Sequence, residues 1–149
     1  MQNDYIVSDE EIELIPAVNR LMDQYDIIVH VRKLHKTITT SNNDGDGCEI
    51  HNGILIEPDN YILNIYDSDS AFYKEMDKKT TLHPLLVKQD CREVFICGNY
   101  LDTTVLSTAI DAVQLGYHCT VILSATNCSN KIRMLHVVEY LKRLGVNTT

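Results

Sequence analysis

At 149 residues the chain is long enough for one domain with a real core and short for a doubly wound sheet of six strands, and its 44% apolar and 23% charged residues are globular values. The 13 basic and 21 acidic side chains give a formal charge of −8, which opposes binding to nucleic-acid phosphates or an anionic membrane, so neither is expected as a partner. Five cysteines without a CxxC pair fit a reduced, cytoplasmic compartment; no apolar run reaches membrane-spanning length, and the polar first ten residues are unlike a signal peptide.

In chain order, Ser8-Asp-Glu-Glu11 reads as a capping box, since the Ser8 hydroxyl and Glu11 carboxylate can satisfy free amides at a helix start. Ile12, Ile15, Val18, Leu21 and Met22 then give an apolar face through about Asp23, with Pro16 tolerated in the opening turns. Asp26 to Val31 is the next expected strand, followed by His35, an ordinary loop or pocket-rim histidine. Residues 40–60 hold turn chemistry. Asp44, Asp46 and Glu49 do not match the spacing of a calcium loop with its late bidentate glutamate. Tyr61 to Tyr66 is the next strand, and Thr81 to Gln89 a helix with Leu82, Leu85 and Leu86 inward.

The most informative stretch runs from Cys91 to Ser124. Val94 to Cys97 is an apolar run broken by Gly98; Val105, Ala109, Ala112 and Val113 recur at helical spacing until Gly116, and Cys119 to Leu123 is a second apolar run. Two buried strands joined by an amphipathic helix make a βαβ unit and imply a parallel sheet. Ligands of such sheets sit beyond the carboxyl ends of the strands, which makes Gly98, Asn99, Tyr100 and Asp102, with the helix start after them, the expected site. Asp102 serves equally well as a helix cap, and Cys97, inside a strand, should be an inert small hydrophobe. Beyond Leu123, Asn130 caps a helix whose Ile132, Leu135, Val138 and Leu141 are expected in the core; Gly145 ends it and Val146 starts a last strand. The whole chain, 1–149, reads as a single domain.

The pattern Gly98-x-x-x-Asp102-x-Thr104-Val105, the helix with Ala109-Ile-Asp111-Ala112, and Leu115-Gly116-Tyr117 before a strand resemble the isochorismatase-like cysteine hydrolases, nicotinamidases especially. Met1-Gln-Asn-Asp4-Tyr5 is similar to the segment that ends the family's first, central strand, and Asp67-Ser-Asp-Ser-Ala-Phe72 to its Asp-Ser-x-Ser-Ala-Phe segment. The resemblance implies an α/β fold: a three-layer parallel sheet with helices on both faces. Here the first central strand is expected to be missing or truncated; either the natural chain starts upstream of Met1, or a partner or rearrangement fills the place. The family's catalytic set is cysteine, aspartate and lysine, with a metal held by Asp-x-His-x-x-x-His. In this chain Thr104 stands at the cysteine position, Asn64 at the lysine position, and Lys33, His35 and Thr39 at the metal positions, while the aspartate would precede Met1. No metal or cofactor is therefore expected.

A thiol titrates near neutrality and its thiolate is intrinsically nucleophilic, whereas a threonine hydroxyl needs a strong adjacent base. Members of a nucleophilic triad act as a unit, so losing all of them leaves a pocket rather than an enzyme. The expectation is a non-catalytic relative that keeps the fold for ligand binding or assembly. Its pocket would be formed by Asp4, Tyr5, His35, Phe72, Gly98, Asn99, Tyr100 and Asp102 and would take a small carbonyl or nicotinamide-like ligand. The alternative is an amide or ester hydrolase with a substituted nucleophile. Homo- or hetero-oligomerisation is expected by analogy with the family.

Overall fold

The computed structural model describes residues 9–34, 49–66, 68–72 and 82–149. Asp4, Tyr5, Ser8, His35 and Thr39 lie outside these, as do Asp44 and Asp46. The elements follow the order α1 (Asp9–Ile12), α2 (Leu14–Met22), β1 (Val29–Leu34), β2 (Tyr61–Tyr66), α3 (Leu82–Lys88), β3 (Glu93–Gly98), a π-helical turn (Leu101–Val105), α4 (Leu106–Gln114), β4 (His118–Thr126), α5 (Lys131–Arg143) and β5 (Asn147–Thr148). All described strand pairs are parallel, as the βαβ reading requires. They form two sheets, β1-β2 and β3-β4-β5.

The β3–α4–β4 unit is built as its sequence dictates. Val94, Phe95 and Ile96 pair with Cys119, Thr120 and Val121, and Gly98 takes φ +116°, a value that only glycine adopts without strain. Ala109 and Ala112 are fully buried where α4 lies on the sheet. Their short side chains let the helix approach closely.

One apolar cluster joins Leu63, Leu101, Val105, Ala109, Val121 and Leu141, so β2, α4, β4 and α5 share it; Val29 and Val31 of β1 pack on its margin. A smaller cluster of Ile15, Val18, Ile54, Ile122 and Ala125 seats α2 on the other face of β4. Helices thus cover both faces of the β3-β4 pair, which is the expected layering.

Three elements depart from expectation. The first helix is broken at Glu13 into α1 and α2, which changes the phase of the apolar face and leaves Ile12 exposed while Ile15 and Val18 stay buried. The strand expected over Asp26 to Val31 runs over Val29–Leu34, because Val29 pairs with Tyr61 and the polar Arg32 and Lys33 find partners in Asn64 and Asp69. In α5, Leu141 is buried and Val138 half-buried, but Ile132 and Leu135 point outward. Residues three apart each lag by about 60° around a helix, so a row spaced only by threes winds from one face to the other.

Candidate functional site

Chain reversal after β3 builds the site. Gly98 turns the backbone, the Asn99–Tyr100 peptide is cis, and the π-helical turn Leu101–Val105 feeds α4. Backbone bonds lock this turn to the end of β4: the Leu101 amide donates to the Asn127 carbonyl at 2.7 Å, and the Asn127 amide donates to the Gly98 carbonyl at 3.2 Å. Within the turn, the amides of Thr103 and Val105 both donate to the Tyr100 carbonyl at 3.2 Å. Leu101, wholly buried, anchors it in the main core.

Asp102 has a side chain only 6% exposed. Its carboxylate accepts the Ser129 hydroxyl at 2.5 Å and the Ser129 amide at 3.4 Å, and the Arg133 guanidinium stands 3.6 Å away. Burial pushes the carboxyl pKa up, but hydrogen bonds from Ser129, its own amide and Cys128 outweigh that and hold it below the usual carboxylate range. The helix-capping role read from sequence is not what this side chain does: it ties the turn to the start of α5.

Tyr100 reaches the other way, its hydroxyl donating to Glu11 Oε1 at 2.6 Å. Glu11 is 2% exposed, so a buried carboxylate of α1 lies against the turn, 89 residues along the chain. In the sequence Glu11 reads only as a local cap, and an acid among Asp9, Glu10 and Glu13 carries no sign of burial. Ser129 and Arg133 likewise carry no functional signal in the sequence, since they precede or open a helix that reads as structural.

Of the other expected positions, Thr104 is half-buried in the π-helical turn and Asn99 half-buried beside it. Phe72 is buried against Tyr117, ring centroids 5.7 Å apart, and belongs to the core cluster. Its segment is held to α4 by a Ser70 hydroxyl to Asp111 carboxylate bond and by the Ala71 amide, which donates to Thr108 Oγ1 at 3.1 Å. Asn64 is exposed on β2, where its Oδ1 accepts Arg32 Nε at 2.9 Å. The turn therefore gathers Gly98, Asn99, Tyr100, Asp102 and Thr104, whereas the side chain of Asn64 is engaged by β1.

Cys91, Cys97, Cys119 and Cys128 are free thiols. Burial raises the pKa of Cys97 and pushes Cys119 up to about 11, and burial with the nearby Asp102 charge raises Cys128. A thiol held protonated is a poor nucleophile. A cleft of about 610 Å³ lies over Phe95, Thr120, Lys142 and residues 145–149, but no residue of the turn lines it.

The resemblance also implies a divalent metal. Lys33, expected from the resemblance at one of the three metal positions, has its ammonium 2.5 Å from Asp69 in an ion pair, and a cation is no metal ligand. Among the described residues no group of three or more His, Cys, Asp or Glu could hold a metal ion. The described residues do not fit one.

Comparison with known proteins places this geometry. The isochorismatase domain model matches residues 1–149. No curated protein sequence matches. Among solved structures, PnC1 of L. infantum in complex with nicotinate superposes with a TM-score of 0.85 at 21% identity, covering 100% of this chain and 88% of that one. Pyrazinamidase of Pyrococcus horikoshii in complex with zinc gives 0.81 at 21% identity, with 100% and 94% coverage. Yeast nicotinamidase bound to the inhibitor nicotinaldehyde gives 0.79 at 23% identity, with 100% and 95% coverage. At these identities the likeness to solved structures establishes the fold.

Proposed function

Because this chain belongs to the isochorismatase family, we propose that it is a non-catalytic relative of the nicotinamidase-type hydrolases that keeps the strand-turn-helix frame to bind a small carbonyl ligand of nicotinamide type. The observation that carries this reading is the turn itself, tied by backbone bonds to β4 with Thr104 where the family pattern has its cysteine. A threonine hydroxyl stays protonated without a strong base, and the described carboxylates at the turn are engaged: Asp102 by Ser129 and Arg133, Glu11 by Tyr100. Asn64 supplies no cation in place of lysine. The ligand class is taken from relatives of the same fold, whose structures hold nicotinate and nicotinaldehyde.

No helix among the described residues is long and apolar enough to cross a membrane. The four described cysteines are free, and the proposed compartment is the cytoplasm or another reducing intracellular one. Self-association is part of the reading, and light scattering of the purified chain tests it.

The direct test measures ammonia release from nicotinamide together with thermal stabilisation by nicotinamide and nicotinate. Stabilisation without turnover above background is the expected result. Turnover abolished by Thr104→Ala would replace this reading with a hydrolase that uses the threonine. Absence of stabilisation by either compound would remove the ligand class.

A further inference from the structure

Helix α1 is seated on the molecule by a polar side chain where an apolar one would be the rule. Of its described side chains, Asp9 is exposed, Ile12 is 49% exposed and Glu11 is 2% exposed. Carboxylates are almost never fully buried unless paired, whereas isoleucine is among the residues most often found inside. What meets Glu11 is the turn after β3, through the Tyr100 hydroxyl at 2.6 Å.

The helix is also cut off from the one that follows. α2 is fixed: Ile15 and Val18 lie in the cluster with Ile122 and Ala125 of β4, and the Asn19 side chain donates to the Gly53 carbonyl at 2.8 Å and accepts the Leu55 amide at 3.1 Å. Pro16, its third residue, has no amide hydrogen for the carbonyl of Ile12, the last residue of α1, and its ring crowds that carbonyl, so the two helices part at Glu13. A break beside a fixed helix is where a hinge absorbs backbone change.

We propose that α1 is a latch over the turn, closed by the bond from Tyr100 to Glu11 and swinging about residues 13–16 to admit a ligand; the site it controls is the ligand site of the proposed function, and the inference rests on that reading. An apolar seat would hold α1 through many small contacts. The Tyr100 bond is directional, is lost at once when α1 lifts, and leaves both groups free to take water. Tyr100 directly precedes the π-helical turn, and its carbonyl accepts the amides of Thr103 and Val105, so α1 closes against the backbone that frames Thr104.

Two readouts on the intact protein test the latch and the gate separately. Glutamate-specific proteolysis under native conditions, read by mass spectrometry, follows cleavage after Glu11, which closure protects; iodoacetamide labelling of Thr104→Cys follows access to the turn. Adding Tyr100→Phe, which keeps the ring and removes the donor, should speed both about tenfold, with cleavage after the exposed Glu57 and labelling of the buried Cys119 unchanged. Pro16→Ala, which supplies the missing amide, should slow both. Faster cleavage with unchanged labelling would mean a tether that gates nothing, unchanged cleavage would mean that the bond is no latch, and an equal rise at Cys119 would mean general loosening; each would overturn the proposal. Both rates are measured without nicotinamide or nicotinate, so failure of those compounds to bind strikes the ligand reading alone.

Discussion

The unit β3–α4–β4 and the pair β1-β2 hold their polar groups in different ways. Around the turn, backbone amides and carbonyls are closed on one another, and the one acidic side chain within it, Asp102, is sealed by Ser129 and Arg133. Along β1-β2 the contacts are exchanges between exposed side chains, Arg32 to Asn64 and Lys33 to Asp69. The first arrangement depends on glycine, alanine and backbone geometry, so it does not rest on the side chain of Thr104. The second depends on side-chain identity, and it is there that the proposed reading puts Lys33 and Asn64 in place of a metal ligand and the catalytic lysine. On the proposed reading, frame and chemistry are separable here because different kinds of atoms carry them.

The sharpest way to break that contrast is to empty the frame. Leu101→Ala, at a wholly buried residue of the turn, should destabilise the protein by about 2–5 kcal/mol, the range for a leucine-sized cavity. Ile62→Ala, at an exposed position of β2, should change stability by no more than about 0.5 kcal/mol. Urea unfolding of the two variants measures both. Equal losses would mean that the pair is as tightly built as the turn.

A smaller effect is expected from the sealed carboxylate. Asp102→Ala removes the acceptor of the Ser129 bonds and should cost about 1–3 kcal/mol near neutral pH. Because the folded-state pKa is lowered, the ionised form is favoured by folding. The contribution is therefore present above the ordinary aspartate value of 3.8 and is lost as pH falls through the lower folded value. The wild-type advantage over Asp102→Ala should accordingly shrink in acid, read from unfolding midpoints between pH 6 and the acid limit of folding. An advantage that grew in acid would contradict the sealed, ionised carboxylate.

The β3–α4–β4 unit was legible in the sequence because its signals are local: an apolar run, a glycine, helical spacing, a second run. The strand Tyr61–Tyr66 and the Asn130 cap, which accepts the amides of Ile132 and Arg133, were legible for the same reason. What escaped is tertiary. Glu11 reads as a surface acid until Tyr100 is brought against it, and Arg32 and Lys33 read as the end of a strand until Asn64 and Asp69 pair with them. Ile132 and Leu135 read as core residues by apolar character alone, whereas the helix phase turns them outward. The turn after β3 was legible as a turn; the engagement of Asp102 with Ser129 was not, since 27 residues separate them.

The smallest perturbation returns the family's nucleophile to the frame. Thr104→Cys exchanges similar volumes at a half-buried position, so stability should move by no more than about 1 kcal/mol. The new thiol would sit in the turn that feeds α4, where the helix-start field lowers a thiol pKa modestly, whereas Cys97 and Cys119 are held protonated by burial. Site-by-site iodoacetamide labelling should therefore find position 104 modified faster than either. Turnover of nicotinamide should not follow, because the described carboxylates at the turn are engaged and Asn64 offers no cation. Recovery should require Asn64→Lys and a restored aspartate base as well. A rate on the order of 1 per second from Thr104→Cys alone would mean that the frame had kept a working base, and the separation of frame from chemistry would fail at its central point.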